Sequence, residues 1–126
     1  MLEAARTVGV DIPAICADDR LAPSGACRLC LVMVEGQGRP VTACTTPAAD
    51  GMVVVTTSAE LVALRRTLLE LLAGHYPAAA VATSPEEPFH RLLAAHGVTC
   101  ADLPADPGLV DDSRAARRQQ LSAAVV

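Results

Sequence analysis

The apolar positions change their period along the chain, and the changes mark out its parts. Leu2 to Thr7 is a short helix-forming run stopped by Gly9, after which Val10, Ile12 and Pro13 lead in an extended path to Cys16. Residues 17–26 read as a loop. Leu31 to Glu35 is valine-rich, Gly36 to Pro40 make a glycine-containing turn, and Val41 to Cys44 returns, which predicts a hairpin with Cys30 and Cys44 near one another. Asp50-Gly51 is a turn dipeptide before a strand over Met52 to Thr56.

From Thr57 the period becomes helical. Thr57 and Glu60 read as a capping box, Leu61, Leu64, Leu68, Leu71 and Leu72 recur at helical spacing, and Gly74 with Pro77 supplies the stop. A second helix start is read at Ser84-Pro85-Glu86-Glu87, with Phe89, Leu92 and Leu93 as its apolar face and Gly97 as its end. Thr99 to Pro107 reads as a loop, and Asp112 to Leu121 as a polar helix carrying Arg114, Arg117 and Arg118. There is no internal repeat. The pattern predicts an α+β chain with two parts, residues 1–57 containing the strands and residues 58–126 helical.

Composition narrows this picture. Tyr76 and Phe89 are the only aromatic residues among 126, so few side chains can bury large areas and the core must be modest. A domain below about 60 residues usually needs a metal, a disulfide or a partner, and residues 1–57 fall in that range. The net charge of -4 argues against a nucleic-acid partner. No basic region followed by an apolar run opens the chain and no 18-residue apolar stretch occurs, so a cytoplasmic protein without direct membrane insertion is expected.

The chemistry is concentrated in four cysteines, Cys16, Cys27, Cys30 and Cys44, spaced C-x10-C-x2-C-x13-C around RLAPSGACRLCLVMVEG. Thiolates are soft ligands that hold iron-sulfur clusters or zinc, and Ser24 and Gly25 let a loop turn backbone N–H groups toward sulfur. One CxxC with an isolated cysteine on either side is the layout of 2Fe-2S ferredoxins, whereas zinc ribbons usually join two CxxC knuckles. A closed four-thiolate zinc site stays as the alternative. A single CxxC without a secretion signal also favours metal binding over disulfides.

The stretches LEAARTVGVDIPAIC, APSGACRLCLVMVEG and TACTTPAADGMVVVTTS resemble the N-terminal ferredoxin domain of large redox complexes: NAD-linked formate dehydrogenases, bidirectional hydrogenases and respiratory complex I. The resemblance covers roughly residues 2–76. It implies a β-grasp ferredoxin-like domain, with Cys16, Cys27, Cys30 and Cys44 as ligands of one 2Fe-2S cluster.

Two departures from that family change the expectation. Family members precede LEAAR with a two-strand hairpin, whereas here Met1 stands directly before Leu2, so an N-terminally truncated or misannotated start is expected. The surface left open on Leu2, Ala5 and Val8, together with the leucine face of 61–72, then predicts an upstream extension or an obligate partner. Downstream, the family commonly continues with a histidine and three cysteines that bind a 4Fe-4S cluster. Here the stretch is HYPAAAVATSPEEP: His75 matches the histidine, while Ala79, Ala82 and Pro88 occupy the cysteine positions, so no 4Fe-4S cluster is expected and only a helical framework persists.

The resemblance implies a subunit that relays single electrons within a larger oxidoreductase complex, beside subunits carrying molybdopterin, nickel-iron or flavin. The competing expectation is a non-redox assembly module with zinc on the four cysteines. No nucleotide-phosphate loop, acid/base pair or activated nucleophile occurs, so catalysis by this chain alone is not expected. Cys100 reads as a small core residue, His75 as a relic at a helix end, and His90 and His96 are poorly spaced for a shared metal.

Overall fold

The structure, a computed structural model, describes residues 1–100. In chain order its elements are α1 (Leu2–Thr7), β1 (Leu31–Val34), β2 (Val41–Thr42), β3 (Val54–Val55), α2 (Ala59–Ala73), α3 (Ala78–Thr83) and α4 (Pro88–Ala95). The helix expected over Asp112 to Leu121, and the loop expected beyond Cys100, lie outside the described residues.

The hairpin forms as its pattern requires. β1 pairs antiparallel with β2, Leu31 opposite Thr42 and Val32 opposite Val41, and on its other side with β3, Met33 opposite Val55 and Val34 opposite Val54. The sheet order is therefore β2-β1-β3, with β1 at the centre. Successive side chains of a strand point to opposite faces, so β1 and its lead-in separate two apolar clusters. Cys30 and Val32 join Leu2, Ile12 and Ala43 in the first, whereas Leu29 joins Leu69, Ala73, Leu93 and Val98 in the second. Leu2, expected to lie uncovered, is instead 5% exposed: its N–H donates to the Ala43 carbonyl at 3.0 Å, and that bond seats it in the first cluster. Val8 remains 74% exposed.

The helical part departs from the sequence pattern in phase. Ser58, one residue beyond the expected Thr57, caps α2, its Oγ accepting from the Leu61 N–H at 3.2 Å. The buried stripe runs Leu61, Arg65, Leu69 and Ala73, one residue every four, while Leu64, Leu71 and Leu72 face out. An arginine thus takes the second inward position. A further helix, α3, occupies AAAVAT with no buried residue, and Ser84, expected as the start of the next helix, instead terminates it. α4 begins at Pro88, whose missing N–H suits the first helical position as well as that of Pro85 would. Its His90 is buried: Nδ1 meets the Ser84 carbonyl and Nε2 lies 2.8 Å from the Tyr76 hydroxyl. Tyr76 also packs edge-on against Phe89 with ring centroids 5.0 Å apart. Together these contacts gather the ends of α2, α3 and α4 around the chain's two aromatic rings.

No helix among the described residues is long and apolar enough to cross a membrane.

Candidate metal centre

The loop between α1 and β1 carries three of the four cysteines, and its shape follows from a few residues. Asp18 accepts from the N–H and the guanidinium of Arg20 at 2.7 to 2.9 Å, closing a turn just after Cys16; that arginine holds the Asp18 carboxyl down at about 2. Gly25 adopts φ +65°, and a Cβ there would lie 3.1 Å from Thr45 Cγ2. Any side chain at this position would meet both a left-handed backbone and the Thr42–Thr45 hydroxyl pair that closes the turn before Cys44. Arg28 also takes positive φ, 59°, a conformation uncommon for a residue with a Cβ, and it does so between Cys27 and Cys30.

These turns point backbone donors at sulfur. The Cys27 N–H donates to Cys16 Sγ at 3.5 Å. That bond is the largest influence lowering the Cys16 thiol from its ordinary range, assisted against burial by the Cys27 side chain, Ser24 and the Ala26 N–H. Cys44 behaves oppositely, pushed up to about 11 by burial first and then by the neighbouring Cys30 and the charge of Cys16, with the Gly25 N–H opposing. Cys30 is fully buried and the other three cysteines of the set are half-buried. β1 delivers Cys30, and the turn after β2 delivers Cys44, whose preceding residue Ala43 donates its N–H to the Cys30 carbonyl at 2.9 Å.

The four predicted residues are thus brought together as two neighbouring pairs, Cys16 with Cys27 and Cys30 with Cys44. All are free thiols. Among the described residues no group of three or more His, Cys, Asp or Glu side chains is arranged to hold a metal ion. The donor set fits a two-iron, two-sulfide cluster in its chemistry: four thiols, a loop whose N–H groups face sulfur, and a glycine where the backbone must come close. A groove of about 300 Å³, walled by Leu2, Arg6, Asp18 and Leu21, opens one flank of this set at Cys44.

The remaining candidates stay apart from the cysteines. His75 is exposed in the turn after α2, Ala79, Ala82 and Pro88 are exposed, and Cys100 is half-buried against the second apolar cluster. One residue near the site escaped the sequence pattern: Arg65, 3% exposed, donates from Nε to the Leu29 carbonyl at 3.2 Å and from Nη2 to those of Leu31 and Thr56 at 2.6 and 2.9 Å. Its place in the register with Leu61, Leu69 and Ala73 was the available signal.

The likenesses to known proteins fall on this same region. The chain is 43% identical over 77 residues to the NADPH-Fe(3+) oxidoreductase subunit alpha of Geobacter sulfurreducens, covering 61% of this chain and 9% of that protein. It is 42% identical over 82 residues to the NADP-reducing hydrogenase subunit HndD of Solidesulfovibrio fructosivorans, covering 61% of this chain and 14% of that one. The chain thus matches only a small part of these relatives, which are subunits of larger oxidoreductase or hydrogenase complexes. The crystal structure of an NAD+-reducing NiFe-hydrogenase in the H2-reduced state superposes on 84% of this chain and 46% of its own, with a TM-score of 0.70 at 37% identity. Residues 1–59, from α1 to the cap of α2, match the family described as the 2Fe-2S iron-sulfur cluster binding domain. This segment, with all four clustered cysteines, belongs to that family, as a ferredoxin-like α+β domain of the kind carried by oxidoreductase subunits in electron transport.

Proposed function

We propose that the chain relays single electrons through one 2Fe-2S cluster held by Cys16, Cys27, Cys30 and Cys44, as part of a larger oxidoreductase complex. The observation that carries this reading is the convergence of the four thiols in two pairs, with the Cys27 N–H directed at Cys16 Sγ. The cluster supplies the electron-accepting centre when bound. The chain's own residues hold it, orient N–H groups toward its ligands and wall it from water on the Cys30 side, which are the means by which a protein sets such a potential. Residues 1–57 form the cluster-bearing part, and residues 58–126 a helical appendage that binds no second cluster, since alanine and proline stand where the resembling family has thiolates.

The partners on this reading are subunits carrying molybdopterin, nickel-iron or flavin, met on the cytoplasmic side. The relatives' printed names, which join NADPH, NADP and hydrogen to such subunits, support that class of complex. Exposed Val8, Leu21 and Leu71 give apolar surface of the kind an adjoining subunit covers.

Protein prepared anaerobically should carry two irons and two acid-labile sulfides per chain, and give one S = 1/2 EPR signal on reduction. Stoichiometric zinc under iron-replete conditions would overturn the reading in favour of a non-redox assembly module. Close to six irons per chain would show a second cluster.

A further inference from the structure

Arg65 is the one arginine on the inward stripe of α2, and its burial is hard to explain by packing alone. Taking a guanidinium out of water carries a penalty of several kcal/mol unless a negative charge compensates it. The ion pairs among the described residues engage Arg6, Arg20, Arg66 and Arg91 with carboxylates; Arg65 is in none of them. Its bonds to three backbone carbonyls satisfy its donors but leave its charge uncompensated. Two of those carbonyls belong to Leu29 and Leu31, the residues on either side of Cys30. The guanidinium is therefore fixed beside the most buried of the four cysteines, in a setting where screening by water is weak. Burial lowers the Arg65 pKa and the Cys30 charge opposes that shift, which agrees with this placement.

We propose that Arg65 is the built-in counter-charge of the cysteine site, a positioning residue that favours the one-electron-reduced state and so raises the site's reduction potential. The inference rests on the reading of the four cysteines as 2Fe-2S ligands. The step is a gain of one electron from a neighbouring one-electron carrier; the site becomes more negative by one charge and no bond to the protein breaks. A fixed positive charge stabilises the more negative state more strongly, so removing it must make reduction less favourable. The hydrogen bonds alone would not have this effect.

Charge and bonding can be separated because the three carbonyls are served by Nε and Nη2 only. Citrulline at position 65 keeps both of those donors and replaces the third nitrogen with oxygen, leaving the side chain neutral. Arg65→Lys keeps the charge and loses the planar fork. The full chain would be prepared in native, citrulline and Arg65→Lys forms, loaded with iron and sulfide, and titrated by EPR for potential. Iron content and thermal unfolding of the iron-free chain would be read alongside. The citrulline form should fold and load two irons, with its reduction equilibrium about tenfold less favourable, a fall of about 59 mV for one electron. Arg65→Lys should stay near the native potential. An unchanged potential in a loaded citrulline form would overturn the proposal, as would an equal fall in Arg65→Lys, which would assign the effect to the carbonyl bonds. If the native chain itself holds no 2Fe-2S signal, the reading of the cysteines has failed and this proposal falls with it.

Discussion

The two apolar clusters share a wall at β1 but are built on different terms. The first, around Leu2, Ile12, Cys30, Val32 and Ala43, includes a cysteine and draws on loop residues whose N–H groups face sulfur. The second, around Leu29, Leu69, Ala73, Leu93 and Val98, is aliphatic and rests largely on α2 and α4, whose backbone bonds are internal. A small core with its polar backbone turned toward four thiols depends on what those thiols bind; a helical one depends on side-chain packing. Metal affinity and packing stability should therefore be separable by mutation.

The largest expected effect is that of Cys30→Ala, which removes a fully buried thiol shared by the first cluster and the site. Iron should be lost and the EPR signal with it. Leu69→Ala tests the other side: truncating a side chain with no exposed area should cost about 2–5 kcal/mol, read as a lowered midpoint in denaturant, while the folded protein keeps its iron. Complete loss of iron from folded Leu69→Ala protein would break the comparison.

Smaller shifts are expected from pH in the iron-free chain. The Cys44 thiol is raised, so its proton is held more tightly in the fold; its contribution is present below the ordinary thiol value of 9.0 and lost as pH rises through about 11. Cys16 is lowered and acts oppositely, contributing above the ordinary value. Pulsed alkylation read by mass spectrometry should therefore label Cys16 before Cys44 as pH rises, and Cys44→Ser should flatten the alkaline decline in stability. The reverse labelling order would refute the assigned environments.

Tyr76→Phe removes the hydroxyl facing His90 Nε2 and should cost about 1 kcal/mol of stability without touching iron content. His75→Ala and Cys100→Ser should leave the 2Fe-2S spectrum and iron content unchanged, since neither residue approaches the four thiols.

Much of the first region was legible because its signals are local. Valines on either side of Gly36 specify a hairpin, Gly9 ends α1, and the cysteine spacing names its chemistry without reference to the rest of the chain. The second region was read less well for a physical reason. The leucines of α2 are spread around much of its circumference, so leucine spacing alone gives the wrong phase, and the inward Arg65 is discounted by any hydrophobic pattern. α3 went unread because AAAVAT has no polar face to contrast with an apolar one, and because Ser84-Pro85 imitates a helix start. The positive φ of Arg28 has no sequence signature.

Leu29 stands between Cys27 and Cys30 in the chain yet is seated with 0% exposure among Leu69, Ala73 and Leu93. The loop is thereby moored to the helices at its midpoint. Whenever α2 and α4 part in a thermal fluctuation, Leu29 is freed and two of the four thiols lose their common anchor. On the proposed reading the lifetime of the bound cluster, as distinct from its affinity, is then timed by how often the helices open, and a tighter helical pair would lengthen it without altering a single ligand.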